Sequence, residues 1–252
     1  INAGDGNNTI IAGAGTNFIY SGVGNDNIYT EDNNDYIEAG DGDNDISAGG
    51  GTNEIYSGAG NDTIDTGNNN DTIDAGNGNN TINAGDGLND ITSGSGNDII
   101  NTGSGNDTIE AGDGDNQINA GAGQNEIYSG SGSDTIDTGD GNDYIESGNG
   151  GDTINAGNGQ NQIYTGSGSD TITSGLGNDT IETGDGDDFV DAGFGNDTVA
   201  AGAGNDTITY ENASSAVTVD LNVTTMQNTG GYGQDTISGF ENIIGSIYND
   251  IL

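Results

Sequence analysis

Basic residues are missing from this chain of 252 residues: it has no Lys, Arg or His against 42 Asp and Glu, giving a formal charge of −42. Nucleic acid is excluded as a partner, because binding to phosphates depends on basic side chains. Membrane insertion is excluded too, because no apolar run approaches the roughly 18–20 residues that span a bilayer. The absence of Cys excludes disulfide bonds. Cations are the expected neutralising partners of such a chain.

The same absences argue against catalysis. Without His, Cys or Lys, the usual pairs of nucleophile and base are not available. A pair of carboxylates, as in glycosidases, is formally open, but carboxylates recur along the whole chain and no pair stands out. We therefore expect a protein that is not an enzyme.

What the chain does contain is a nine-residue repeat, G-x-G-N-D-T-I-x-x, of which Gly202–Tyr210 is one copy. Copies follow one another from Gly4 to Tyr210 without insertion or deletion, which gives 207/9 = 23 units. A fixed period of this kind is typical of a solenoid, in which each copy packs against its neighbours. Residues 1–210 are the predicted array, and residues 211–252 are a divergent junction segment leading into a further block of repeats.

Each unit has a Gly-rich half and a strand-like half. Gly at the first and third positions allows positive φ and tight turns, whereas Glu31 replaces the first Gly and Asn33 and Asn69 replace the third. The seventh position is Ile or Val in all 23 copies. This pattern predicts a short strand with one inward side chain, so that stacked units form an aliphatic ladder.

A longer period of four units lies over the first. The fifth position repeats the order Asn, Asn, Asp, Asp, beginning at Asn8 and continuing to Asp143. A coil with two units per turn completes two whole turns in each such period, whereas a three-sided coil, with three units per turn, would fall out of phase with it. The sequence therefore predicts an all-β fold, a flat parallel β-roll solenoid with two nonapeptides per turn.

The units resemble the nonapeptide of RTX (repeats-in-toxin) proteins, G-G-x-G-x-D-x-U-x, in which U is a large aliphatic residue. Gly230–Ser238 matches every specified position. The array units replace the first Gly by Ala, Ser or Thr and carry Asn for Asp in nearly half of the copies. The resemblance implies a right-handed roll, calcium between stacked turns, and export by a one-step (type I) secretion system.

Calcium prefers six to eight hard oxygen ligands, which Gly-rich turns and a following Asp can provide. The candidate ligands of multiple Ca²⁺ ions are the Asp residues of the turns: Asp26, Asp35, Asp62, Asp71, Asp98, Asp107, Asp134, Asp143, Asp152, Asp170, Asp179, Asp188, Asp197, Asp206 and Asp235. Because Asn offers a neutral oxygen, we expect weaker or partial occupancy at Asn turns and the tightest sites between residues 134 and 206. Calcium binding is expected to be coupled to folding.

Two interpretations of the function remain open. One is a secreted, extracellular or cell-surface structural element, namely a surface-layer, sheath, filament or adhesin-stalk segment that stiffens on binding calcium. The other is the C-terminal calcium-dependent secretion and folding domain of an exported enzyme or toxin. Because Ile1 lies inside a repeat, we expect a fragment or a processed product of a longer protein.

The outer face has its own pattern, which bears on self-association. Tyr residues recur with the four-unit period at the eighth position, except that one period has Thr92, and acidic residues lie between or beyond them: Tyr20, Glu38, Tyr56, Asp74, Thr92, Glu110, Tyr128, Glu146, Tyr164 and Glu182. This row is either a solvated strand face or a lateral contact surface. Unpaired strands at the ends of a roll also favour end-to-end association.

Overall fold

The computed structural model describes all residues from 1 to 252. Its regular elements are 26 β-strands, and it has no helix that could cross a membrane. The residues group into two compact units, Ile1–Gly130 and Ser131–Leu252. Both units are all-β, as the repeat predicts.

The first unit is a stack of short strands joined by tight turns. Each strand pairs in parallel with the second strand after it, so that equivalent residues of alternate nonapeptides lie side by side, as in the series Ile19, Ile37 and Ile55. The strands are β1 (Thr9–Gly13), β2 (Phe18–Tyr20), β3 (Asn27–Thr30), β4 (Tyr36–Glu38), β5 (Asp45–Ser47), β6 (Glu54–Tyr56), β7 (Thr63–Asp65), β8 (Thr72–Asp74), β9 (Thr81–Gly85), β10 (Asp90–Thr92), β11 (Ile99–Thr102), β12 (Thr108–Glu110), β13 (Gln117–Asn119) and β14 (Glu126–Tyr128).

Odd-numbered and even-numbered strands of this unit form two separate parallel sheets, in the orders β1-β3-β5-β7-β9-β11-β13 and β2-β4-β6-β8-β10-β12-β14. One turn of the coil therefore contains one strand from each sheet. The register, in which Ile28, Ile46 and Ile64 lie side by side, confirms the β-solenoid with two nonapeptides per turn.

The second unit repeats this architecture. Its sheets have the orders β15-β17-β19-β21-β23-β26 and β16-β18-β20-β22-β25-β24, and only β24 is antiparallel to its neighbour. The strands are β15 (Thr135–Asp137), β16 (Tyr144–Asn149), β17 (Thr153–Asn155), β18 (Gln162–Ser167), β19 (Thr171–Thr173), β20 (Thr180–Asp185), β21 (Phe189–Asp191), β22 (Thr198–Ala200), β23 (Thr207–Thr209), β24 (Gln227–Asn228), β25 (Gln234–Ser238) and β26 (Asn242–Ile244).

The core of both units is the predicted aliphatic ladder. The seventh-position Ile or Val is buried in every copy, from Ile10 at 5% exposure to Ile208 at 1%. Neighbouring residues within a strand point outward, because successive side chains of a strand alternate between its faces. Each strand of the array, from β1 to β23, thus buries one large aliphatic side chain between the two sheets.

Glycines in the turns are required by the close stacking of consecutive coils. A Cβ built on Gly78, whose φ is +141°, would lie 1.7 Å from the carbonyl oxygen of Gly60. At the two third positions without Gly, Asn33 and Asn69 adopt positive φ values of 126° and 98°. Glu31 has no positive φ, so the backbone avoids there the conformation that a residue with a Cβ atom disfavours.

The chain rejoins the roll after the break in the repeat at Glu211. Strand β25 pairs with β22, so that Ile237 lies beside Val199. The chain between these two strands is longer than one coil of 18 residues, and the extra residues form a loop. Strand β26 then pairs with β23, and Ile243 lies beside Ile208. The alternation at residues 216–221 predicts a strand, but Thr218 forms only an isolated bridge with Ile251. The looped segment instead places Tyr232 against Phe194, with ring centroids 4.7 Å apart.

Candidate calcium centres

The fifth-position Asp of each unit stands between the Gly-rich turn and the strand. Asp62, for example, directly precedes β7, and its side chain is 1% exposed. All fifteen Asp residues predicted as ligands are buried, with exposed fractions of 3% or less. The structure thus places every predicted ligand inside the turns rather than on the solvent side.

One carboxylate oxygen of these residues has a structural role. The backbone N–H of Asn44 donates to Oδ1 of Asp62 at 2.8 Å, across an interval of 18 residues. In the second unit, the backbone N–H of Asp152 donates in the same way to Oδ1 of Asp170 at 2.8 Å. These bonds tie each side chain to the preceding coil and fix its orientation.

The other carboxylate oxygen has no hydrogen-bond partner. This Oδ2 atom is buried and receives no donor in Asp26, Asp35, Asp62, Asp71, Asp98, Asp107, Asp152, Asp170, Asp179, Asp188, Asp197 and Asp206. The chain has no basic side chain that could approach it. A buried, unpaired carboxylate is costly, so these oxygens fit a site for an added cation.

Burial also disfavours the charged form of these acids. It raises the pKa of Asp62, Asp71 and Asp179 to about 6, and hydrogen bonds from neighbouring groups offset only part of the effect. The pKa of Asp197 is raised to about 8, mainly by burial, with the charge of Asp235 adding to it. Burial likewise raises the pKa in seven further turns: Asp98, Asp107, Asp152, Asp170, Asp188, Asp206 and Asp235.

Backbone carbonyls supply further oxygens. Carboxylates alone do not form a cage, because nowhere do three acidic side chains converge. The side chain at the fifth position faces three carbonyls, as the amide nitrogen of Asn44 shows: it lies 2.9 Å from the oxygen of Gly40, 3.0 Å from that of Gly42 and 3.0 Å from that of Ser57. A carboxylate oxygen among three such carbonyls supplies four of the six to eight hard oxygen ligands that calcium takes.

Asp235 differs from the other predicted ligands. Its Oδ2 accepts a hydrogen bond from the hydroxyl of Thr229 at 2.8 Å and another from that of Tyr210 at 3.3 Å. Its Oδ1 accepts the backbone N–H of Asp197 at 3.1 Å. Both of its oxygens are therefore engaged, although its turn matches the RTX nonapeptide most closely.

A Ser or Thr hydroxyl accompanies most Asp turns, and the prediction of ligands missed it. The hydroxyl of Ser57 lies five residues before Asp62 and donates to the carbonyl of Ala75 at 3.1 Å. The sequence does contain a signal, because Ser or Thr stands five residues before 12 of the 14 Asp turns of the array. That signal becomes interpretable only once the carbonyls of the turn are located.

A parallel β-solenoid whose turns bury carboxylate oxygens that accept no hydrogen bond is characteristic of a calcium-binding repeat protein. A model of four copies of the RTX calcium-binding nonapeptide repeat matches overlapping segments that together cover residues 1–208, so the chain belongs to the RTX repeat family. A search among curated proteins found no significant match. The turns fit the family's ion, because their oxygens lack donors and no cationic side chain competes for them.

Proposed function

We propose that this chain is a non-enzymatic, extracellular structural segment that folds and stiffens on binding calcium. It would serve in a surface layer, sheath, filament or adhesin stalk. Export by a type I secretion system fits its family and its composition. An acidic chain of this kind would stay unfolded before export, where calcium is scarce, and would fold outside the cell, where calcium is abundant.

The observation that carries the proposal is the fixed register of outward side chains in the first unit. Tyr20, Glu38, Tyr56 and Asp74 lie side by side on successive strands of the even-numbered sheet. The row continues with Thr92, Glu110 and Tyr128 at the same position. A surface that repeats every two coils is suited to regular lateral assembly.

Aromatic side chains strengthen this face. Phe18 and Tyr20 are 59% and 42% exposed, and the ring of Tyr36 lies 6.3 Å and 5.8 Å from theirs. Tyr56 extends the row, with its ring 5.8 Å from that of Tyr36. We call Phe18, Tyr20, Tyr36 and Tyr56 the aromatic row. Aromatic rings that combine an apolar face with a polar edge are enriched at protein interfaces.

The cavity near the C-terminus supports the non-enzymatic part of the proposal. A cavity of about 680 Å³ near the C-terminus is lined by Thr218, Asp220, Asn228 and their neighbours, and Asp220 is its one titratable side chain. A single exposed carboxylate supplies neither a nucleophile with its base nor a pair of acids.

Negative-stain electron microscopy of the purified chain with calcium and with chelator tests the proposal. We expect filaments or sheets only with calcium. A variant with Tyr20, Tyr36 and Tyr56 each replaced by Ser should fold but lose lateral assembly, whereas Val23→Ser, at an exposed turn, should not. Dispersed short particles at all calcium concentrations would contradict the proposal and favour a secretion and folding domain of an exported enzyme or toxin.

A further inference from the structure

The Asn turns of the array are closed by their own side chains. In Asn44, Oδ1 accepts the backbone N–H of Asp26 at 3.0 Å, and Nδ2 donates to the carbonyls of Gly40, Gly42 and Ser57. The amide thus occupies the centre of the carbonyl cage with a donor.

The arrangement recurs in other Asn turns. Nδ2 of Asn8 lies 2.7 Å from the carbonyl oxygens of Gly4 and Gly6 and 3.3 Å from that of Ser21. Nδ2 of Asn80 has three equivalent partners at 3.2, 3.3 and 3.2 Å. At least one of these carbonyl bonds is made by every other Asn turn: Asn17, Asn53, Asn89, Asn116, Asn125 and Asn161.

An Asp turn has the same geometry with the donor removed. Oδ1 of Asp62 accepts the backbone N–H of the preceding coil, just as Oδ1 of Asn44 does. Oδ2 of Asp62 therefore takes the place of the amide nitrogen, and it has no hydrogen-bond partner. The carbonyls at the equivalent positions belong to Gly58, Gly60 and Ala75. An oxygen replaces a nitrogen donor among three oxygens, so that at neutral pH, where the carboxyl tends to ionise, a cation restores the attraction.

We propose that the side-chain amide of Asn replaces calcium in this roll, so that the nine Asn turns are metal-free and calcium binds only at Asp turns. This assignment rests on the calcium binding of the family and is independent of the structural role proposed above. It differs from the expectation of weak occupancy at Asn turns, because the amide oxygen is already engaged by a backbone N–H and the amide hydrogens fill the cage.

The residue five positions before the turn distinguishes the same two classes. It is Ala before all nine Asn turns and Ser or Thr before 12 of the 14 Asp turns. In the Asn44 turn, the third carbonyl, that of Ser57, receives the amide of Asn44 at 3.0 Å. In the Asp62 turn, the corresponding carbonyl of Ala75 receives the hydroxyl of Ser57 at 3.1 Å. The hydroxyl thus supplies the donor that the carboxylate lacks.

The two classes are unequally distributed along the chain. The first unit contains eight Asn turns and six Asp turns, whereas the array part of the second unit contains one Asn turn and eight Asp turns. The array therefore holds 6 + 8 = 14 calcium turns of 23, and most of the calcium requirement falls on the second unit. The prediction of the tightest sites between residues 134 and 206 rests on this same distribution of Asp residues, and it remains a prediction.

Counting bound calcium in matched variants tests the assignment. Asp62→Asn should lower the number of ions per chain by one and let the roll fold at a lower calcium concentration. Asn80→Asp, combined with Ala75→Ser to supply the hydroxyl, should add one ion and raise the calcium needed for folding. As a control, Asn119→Asp adds the same charge at an exposed strand position and should leave the calcium count unchanged. Asp is compatible with this position, because Asp137 at the equivalent position accepts the backbone N–H two residues further on, just as Asn119 does.

Native mass spectrometry or elemental analysis after gel filtration gives the count, and circular dichroism at saturating calcium confirms that each variant is folded. A wild-type count near the total number of turns would overturn the proposal. So would an unchanged count in folded Asp62→Asn, or in the folded Asn80→Asp variant. These readouts do not involve assembly, so their outcome is separate from that of the microscopy.

Discussion

Without calcium, the roll should be more stable at acidic pH than at neutral pH. The pKa values of Asp62, Asp71 and Asp179 are raised to about 6, and that of Asp197 to about 8, from an ordinary value of 3.8. The folded state therefore holds protons that the unfolded chain has released. Its stability is fully present below the unfolded pKa and is lost as pH rises through the folded values.

The size of the effect follows from the number of protons. Each group that is protonated in the folded state and ionised in the unfolded chain changes the folding constant by up to about tenfold per pH unit. Between about pH 4 and pH 6 the four acids act together, and above that Asp197 alone continues to about pH 8. Three carboxylates with lowered pKa values act in the opposite direction: Asp86, Asp220 and Asp250.

Far-UV circular dichroism in calcium-free buffer from about pH 3 to pH 8 measures the effect. We expect a β-sheet signal at acidic pH that is lost on neutralisation and restored there by calcium. Light scattering is the necessary control, because the isoelectric point is about 4.1 and an uncharged chain associates. A β-sheet signal that grows with rising pH in the absence of calcium would refute the reasoning.

Three further predictions concern the core, the turns and the ion. Ile73→Ala should lower the free energy of unfolding in calcium by about 2–5 kcal/mol, measured by urea denaturation, while Ile11→Ala at an exposed position should have little effect. Gly6→Ala should lower the free energy of unfolding by about 1–2 kcal/mol because of its positive φ. Gly78→Ala should lower it clearly more, because of the two residues only Gly78 has a carbonyl oxygen against the position of an added Cβ. Equal losses of stability in the two variants would contradict the stacking argument. Chelation at neutral pH should abolish the β-sheet signal, and its persistence would show that calcium is not required for folding.

The repeating part of the fold could be predicted in detail. The nine-residue period and the longer period of four units indicated two units per turn, and the register of Ile46 beside Ile64 confirms it. The aliphatic ladder followed as well, because the single Ile or Val at the seventh position of each unit is the one large aliphatic side chain available for the inward side in most strands. Local pattern and tertiary structure agree here since every coil repeats the same environment.

The tail could not be predicted in the same way. The match of Gly230–Ser238 to the repeat indicated another unit, but not that β25 would continue the sheet of β22. Nor did the sequence show that Tyr210 and Thr229 would supply hydrogen bonds to Asp235. These contacts join residues on both sides of a loop whose path no period determines.

The repeat alone is enough to assign the family, the coil and the positions of the acidic turns, because an uninterrupted period places equivalent residues above one another whatever their identity. Only the tertiary structure showed what an Asn or an Asp does at the fifth position. The difference depends on which side-chain atom of Asn44 or Asp62 faces three carbonyls that two coils contribute. It also depends on which side-chain atom accepts the backbone N–H of the residue 18 positions earlier in the chain. Hydrogen-bond direction in a stacked turn is a property of the assembled coil, and no single nonapeptide contains it.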